Sequence, residues 1–80
     1  MERNNQIMII LNRKVKLENK RNLEVNIRDI SEEMNCSVKE VENLLKTLLL
    51  EGEIKALVQV GFSRDEYTLT IPENSSILNR

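Results

Sequence analysis

The stretch IRDISEEMNCSVKEVENLLK, residues 27–46, decides the fold, because it is typical of two helices joined by a very short link. Apolar residues recur at helical spacing in both halves of the stretch and just beyond it: Ile27, Ile30 and Met34, then Val38, Val41, Leu45 and Leu48. Only Asn35 and Cys36 separate the first helix from Ser37, the expected cap of the second. A link of that length forces the two helices to cross steeply.

The ends of these helices carry capping signals. Asn26 is an N-cap residue by type, and Asp29 stands three positions later, where the acid of a capping box lies. Asn35 suits the left-handed conformation that ends a helix. Ser37 and Glu40 form a Ser-x-x-Glu capping box for the second helix. The start of each helix and the end of the first are therefore predicted by local sequence.

The same segment resembles a helix-turn-helix. Ser31 stands where the two helices of that motif cross, and Asn35 stands where glycine is commonest. Five residues match positions that the family keeps apolar: Ile30, Met34, Cys36, Val41 and Leu44. The run LLLEGEIKALVQVGFSRDEYTLTI, residues 48–71, is similar to the end of a recognition helix, a glycine stop and a two-stranded wing. The resemblance to a winged-helix domain covers nearly the whole chain. It implies an α+β fold, with a three-helix core, a helix-turn-helix and a C-terminal β-hairpin wing.

One domain over residues 1–72 and a short polar tail over residues 73–80 are expected. The predicted helices cover residues 4–17, 27–34 and 38–51, and the predicted strands cover residues 23–26, 53–60 and 66–71. We expect Asn4 or Asn5 to cap the first helix. The tail is expected to be loosely ordered.

Alternation in the predicted hairpin assigns one buried face to each strand. The buried residues would be Ile54, Ala56, Val58 and Val60 on one strand and Tyr67, Leu69 and Ile71 on the other. The two aromatic residues, Phe62 and Tyr67, are expected to pack the hairpin onto the helices rather than to stack on bases.

Charge is unevenly distributed, although the net charge of −1 gives no general attraction to nucleic acid or membranes. The first 28 residues carry a net charge of +4 and the rest carry −5, so the expected recognition unit is acidic. The apolar run from Ile7 to Leu11 is too short for a signal peptide or a membrane span. The single cysteine fits a reducing compartment. We therefore expect a soluble, cytoplasmic protein that does not associate with membranes.

The residue types argue against catalysis. The chain has no histidine, so the commonest general base and metal ligand is missing. Cys36 has no histidine to activate it, and Gly52 and Gly61 are too isolated to form a phosphate-binding loop. We expect no enzyme activity, no metal and no cofactor.

Winged helices bind DNA, RNA or proteins, so two interpretations are open. In the first, the protein is a DNA-binding regulator of transcription whose third helix enters the major groove of a duplex, while the wing touches the flanking backbone. Asn43 suits an adenine edge. The other candidate DNA contacts are Lys39, Lys46 and Thr47 on the helix, Lys55 and Arg64 on the wing, and Arg28. Glu40 and Glu42 would repel phosphates, and charges of this kind are equally typical of a solvated helix face.

In the second interpretation, the domain binds a protein partner and reads no bases. Residues 37–58, SVKEVENLLKTLLLEGEIKALV, also resemble the winged helices that close PCI-type scaffold subunits and those of membrane-sorting complexes. Apolar residues exceed the needs of a three-helix core, and the candidates for a partner or dimer contact are Met8, Ile9, Leu44, Leu49 and Leu50. The small size of an isolated helix-turn-helix protein favours DNA, which is our primary interpretation, with a homodimer supplying the second half-site.

Overall fold

The chain folds as an α+β domain. The computed structural model describes residues 2–79, so Met1 and Arg80 lie outside the described residues. The elements are, in order, α1 (Arg3–Glu18), β1 (Asn22–Asn26), α2 (Ile27–Met34), α3 (Val38–Leu50), β2 (Lys55–Gln59), β3 (Glu66–Thr70) and a 3-10 helix (Ser76–Asn79). Three α-helices with a small antiparallel sheet, over this part of the chain, confirm the predicted fold class and are compatible with a winged-helix-like arrangement. Between residues 2 and 79 no helix is long and apolar enough to cross a membrane.

The α2–α3 unit is fixed at its ends by the predicted caps. Asn26 Oδ1 accepts a hydrogen bond from the backbone N–H of Asp29 at 3.0 Å. Ser37 Oγ accepts one from the N–H of Glu40 at 3.1 Å. Asn35 ends α2 in the left-handed conformation, with φ 55° and ψ 49°. Each interaction spans only a few residues, which is why the sequence predicts all three correctly.

The start of α1 differs from the prediction. Glu2 is the N-cap residue and makes no side-chain capping hydrogen bond, and Asn4 and Asn5 lie inside the first turn. The prediction that one of these asparagines caps the helix is therefore wrong. Arg3 stabilises this end instead, because its guanidinium donates a 2.6 Å hydrogen bond to the carbonyl of Met34 at the end of α2.

A single core is built from all three helices, the sheet and the C-terminal segment. Its buried apolar residues are Ile7, Met8, Ile10, Leu11, Leu23, Val25, Ile27, Ile30, Met34, Val41, Leu45, Leu48, Ile54, Leu69, Ile71 and Ile77. The predicted inner stripe of α3 is present, with Leu45 only 1% exposed. Ser31 is also buried, and its hydroxyl donates to the carbonyl of Arg28 at 2.7 Å. The one polar atom of that side chain is thus satisfied inside the core.

The central strand of the sheet is β3, which pairs antiparallel with β1 on one side and β2 on the other. Against β1 the register is regular, with Leu23 opposite Leu69. Leu69 and Ile71 are buried and Tyr67 packs against the core, as predicted.

A β-bulge interrupts the pairing of β2. Lys55 lies opposite Thr70 and Val58 lies opposite Thr68, so β2 carries one more residue than β3 over the same distance. Ala56 lies within this bulge, in the left-handed region at φ 56°.

Because of the bulge, the alternation of buried and exposed side chains predicted for β2 is wrong. Ile54 is buried as expected, but Val58 is 53% exposed, whereas Leu57 packs against the core. Strand side chains alternate with a period of two, so one extra residue brings Leu57 rather than Val58 to the core side. Ala56, within the bulge, is exposed as well. The buried set Ile54, Ala56, Val58 and Val60 therefore does not form.

The C-terminal tail is packed onto the domain, so the prediction that it is loosely ordered is wrong. Ile77 is fully buried, and the segment Ser76–Asn79 forms a 3-10 helix. The carboxylate of Glu53 accepts hydrogen bonds from the Ser75 hydroxyl at 2.9 Å and from the Ser76 N–H and hydroxyl at 2.7 and 2.8 Å. These three bonds anchor the segment just before its helical turn.

Candidate nucleic-acid interface

The exposed face of α3 carries the strongest group of predicted DNA contacts. Lys39, Asn43, Lys46 and Leu50 recur at spacings of four, three and four residues, so they form one stripe along the helix. All four are exposed. The stripe lies opposite the buried stripe of Val41, Leu45 and Leu48. The structure thus brings together three of the residues that the sequence nominates for DNA.

A single acidic residue, Glu42, forms ion pairs with both lysines of this stripe. Glu42 Oε1 lies 3.2 Å from Lys46 Nζ and 3.7 Å from Lys39 Nζ. The hydrogen bond and charge of Lys46, and to a smaller extent Lys39, hold the pKa of the Glu42 carboxyl below its usual value. A phosphate group on this face must therefore compete with Glu42 for both cations.

The side chains of Asn43 and Thr47 differ in whether their polar groups are already hydrogen-bonded within the protein. The Thr47 hydroxyl donates to the carbonyl of Asn43 at 3.0 Å, which ties it to its own helix. The side-chain amide of Asn43 is exposed and has no hydrogen-bond partner in residues 2–79. Asn43 is thus better placed than Thr47 to contact a ligand.

Arg28 joins α2 to the wing. Its Nε lies 3.0 Å from Asp65 Oδ2, and the carbonyl of Asp65 accepts the N–H of Ile27 at 2.8 Å. Lys55 on β2 and Arg64 in the β2–β3 turn are exposed and form no ion pair within the described chain. Of the three predicted flanking cations, Lys55 and Arg64 are therefore the two with free charges.

Glu40, expected to repel phosphates, is paired with a residue that the sequence does not single out. Arg3 Nε lies 3.0 Å from Glu40 Oε2, which links the start of α1 to the start of α3. These residues are 37 positions apart, so no local pattern signals the contact. The pair offsets the negative charge of Glu40 at the end of the stripe.

The apolar candidates for a partner contact divide into buried and exposed residues. Met8 is only 6% exposed and belongs to the core, so it offers almost no surface to a partner. Leu44 packs against the core, and Ile9 is half-buried. Leu49 is at the margin of exposure, whereas Leu50 is 88% exposed. Leu50 is thus the candidate that a partner could reach most fully.

Three further exposed apolar residues were not predicted as surface positions: Leu17, Val58 and Phe62. Phe62 is fully exposed in the β2–β3 turn, so the prediction that it packs the hairpin onto the helices is wrong. Gly61 precedes it with φ 67°, and this turn points the aromatic ring away from the core. Leu17 lies seven residues after Ile10, a spacing that places both on one face of α1.

Comparisons of the chain with protein-family models, with curated proteins and with solved structures find no match. Within residues 2–79, no group of three or more histidine, cysteine, aspartate or glutamate side chains is placed to hold a metal ion. The functional argument therefore starts from the exposed residues of α3 and the wing.

Proposed function

We propose that the chain is a DNA-binding winged-helix protein that regulates transcription. The observation that supports this is the shared exposed face of Lys39, Asn43 and Lys46 on α3. With α3 in the major groove, the lysines reach phosphates and the Asn43 amide pairs with an adenine edge. Lys55 and Arg64, whose charges are free, contact the flanking backbone.

The Glu42 ion pairs determine how such binding behaves. Phosphates must replace Glu42 as the partner of Lys39 and Lys46, and the Glu42 carboxylate remains nearby as a repulsive charge. Cations that contact phosphates supply most of the affinity through counterion release, so binding weakens as salt rises, with a slope set by the number of these contacts. Affinity for random duplexes is accordingly modest.

Titration of fluorescently labelled duplexes at low and increasing salt tests this function. Lys46→Ala should weaken binding to all duplexes alike and make the salt slope shallower by about one unit. Lys16→Ala, which removes an exposed lysine from α1, is the matched control and should leave the slope unchanged. Asn43→Ala should instead reduce discrimination at one base pair by about 1–3 kcal/mol. A chain that binds no duplex at low salt does not have this function.

A protein-binding function is the second candidate, because an exposed leucine lies within the same stripe. Leu50 is 88% exposed and follows Lys46 on the outer face of α3. Leu50 ends α3 beside the partly exposed Leu49, and adjoining exposed apolar residues are typical of a contact that a partner buries. If α3 binds a protein, Leu50→Lys abolishes that contact and leaves the fold intact.

The same Leu50→Lys variant separates the two candidates. On a DNA-binding face the added lysine increases affinity for every duplex, because it supplies another phosphate contact. If α3 binds a protein instead, neither the wild type nor the Leu50→Lys variant binds a duplex. Leu44→Lys does not serve here, since Leu44 packs against the core and its replacement would destabilise the domain.

A further inference from the structure

A groove runs between α1 and α2. It consists of two adjoining cavities of about 210 and 200 Å³ that share Ile10, Arg13 and Glu33 in their walls. On α1 the groove follows the face that carries Ile10, Arg13 and Leu17, and on α2 it follows Ile30 and Met34. The groove thus extends along both helices. Its apolar floor is buried, with Ile10, Ile30 and Met34 only 8%, 5% and 3% exposed, so the apolar surface open to a partner comes mainly from Leu17 and the half-buried Ile9.

Leu17 stands at one end of the groove and is 82% exposed. A leucine this exposed leaves most of its apolar surface in water. Leu17 forms part of the groove wall, so its side chain cannot also occupy the groove. A second copy of the chain can supply a leucine to this groove and receive one in return.

The charges on the two walls are opposite. The α1 wall contributes Arg13 and Lys14, and the α2 wall contributes Asp29 and Glu33. Arg13 Nη1 already pairs across the groove with Glu33 Oε2 at 2.8 Å, and Lys14 Nζ lies 3.2 Å from Glu18 Oε2 on its own helix. The Asp29 carboxylate has no ion-pair partner in the described chain, so it is the charge on these walls that a second copy can pair. A surface with one basic and one acidic wall is complementary to itself after a two-fold rotation, as an isologous dimer interface requires.

We propose that this groove is a homodimer interface in which two copies meet through α1 and α2. Leu17 of each copy enters the groove of the other, and the basic α1 wall of each copy faces the acidic α2 wall of its partner. This interface does not depend on DNA binding, and it lies on α1 and α2 rather than at Leu49 and Leu50 on α3. The exposed face of α3 stays accessible on both copies.

Sedimentation of the full chain at micromolar concentrations tests the interface. The wild type should sediment as a dimer, and Leu17→Glu should raise the dimer dissociation constant by about 30-fold or more, the effect of a hot-spot residue. Leu50→Glu is the matched control, because it places the same charge at an equally exposed leucine outside the groove and should leave the dimer intact. Circular dichroism of both variants checks that each is folded. A monomeric wild type, or a dimer that Leu17→Glu leaves unchanged, would overturn the proposal.

Charge reversal provides a second test that does not depend on losing a side chain. Lys14→Glu alone and Asp29→Lys alone should each be monomeric, because each places like charges across both halves of the symmetric interface. An equimolar mixture of the two variants should form a heterodimer, since every contact between the walls is then again between opposite charges. A mixture that sediments as monomers, or single variants that remain dimers, would show that the two walls do not meet.

Discussion

The side-chain amide of Asn12, in the middle of α1, donates a 2.8 Å hydrogen bond to the backbone carbonyl of Ile77, which lies 65 residues further along the chain. Both residues are buried. The bond satisfies a carbonyl that water cannot reach, and it joins the first helix to the last structured turn. The C-terminal segment is therefore part of the folded domain.

Loss of this bond should destabilise the whole domain. Asn12→Ala leaves the Ile77 carbonyl buried without its partner, so we expect the free energy of unfolding to fall by about 1–3 kcal/mol. Urea denaturation followed by circular dichroism measures the change. Asn4→Ala, at an exposed position of the same helix, should change it by less than about 0.5 kcal/mol. Equal effects from the two variants would show that the bond contributes nothing.

The core position of α3 gives a second prediction. Leu45 is 1% exposed, so Leu45→Ala should lower the free energy of unfolding by about 2–5 kcal/mol. A domain of this size has little stability to spare, and the variant should be largely unfolded at elevated temperature. Leu50→Ala, at an exposed position of the same helix, is the comparison and should leave the denaturation midpoint close to that of the wild type.

The ion pairs of Glu42 predict a titration behaviour. The side-chain carboxyl of Glu42 should titrate below an ordinary glutamate, and Lys46→Ala should shift its pKa upward more than Lys39→Ala, because Lys46 is the larger cause. Carbon-13 NMR of the carboxyl resonance across an acid titration measures both shifts. Since the folded-state pKa is lowered, the stabilisation from these pairs is present above the unfolded-state pKa and is lost as pH falls through the folded-state pKa. A larger shift from Lys39→Ala would contradict this assignment.

Glu42 should also limit duplex affinity. Glu42→Gln removes the acid that holds Lys39 and Lys46, so duplex binding should become tighter and its salt slope steeper by about one unit. Fluorescence anisotropy across a salt series measures both quantities. Glu24→Gln changes net charge equally at an exposed position on β1 and should have a much smaller effect. If the two substitutions act alike, only the net charge of the protein matters and α3 does not lie on the duplex.

The features predicted correctly from sequence depend on residues close together in the chain. The caps at Asn26 and Ser37 need only three residues of context, and the apolar stripe of α3 needs only its own periodicity. Local rules of this kind hold whatever surrounds the segment. The predicted α+β fold class rested on these elements together with the resemblance to a winged-helix domain.

The features that the sequence did not reveal depend on contacts between distant segments. Arg3 meets Glu40, and Glu53 meets Ser75 and Ser76, only after the domain has folded. The exchange of Leu57 for Val58 on the core side of β2 depends on the register of this strand against β3, which alternation within one strand does not determine. The ion pairs of Glu42 with Lys39 and Lys46 are an exception, because their spacings of three and four residues along α3 are a local signal that was available in the sequence.

The bulge at Ala56 has a consequence for how these molecules meet one another. β2 forms an outer edge of the sheet, and an unpaired edge attracts strands from other chains. A left-handed residue and an extra position interrupt the regular row of N–H and C=O groups there, and the exposed charge of Lys55 stands beside them. An incoming strand therefore cannot form a continuous ladder of hydrogen bonds along this edge. The irregular strand thus protects this edge of the sheet against strand-to-strand aggregation.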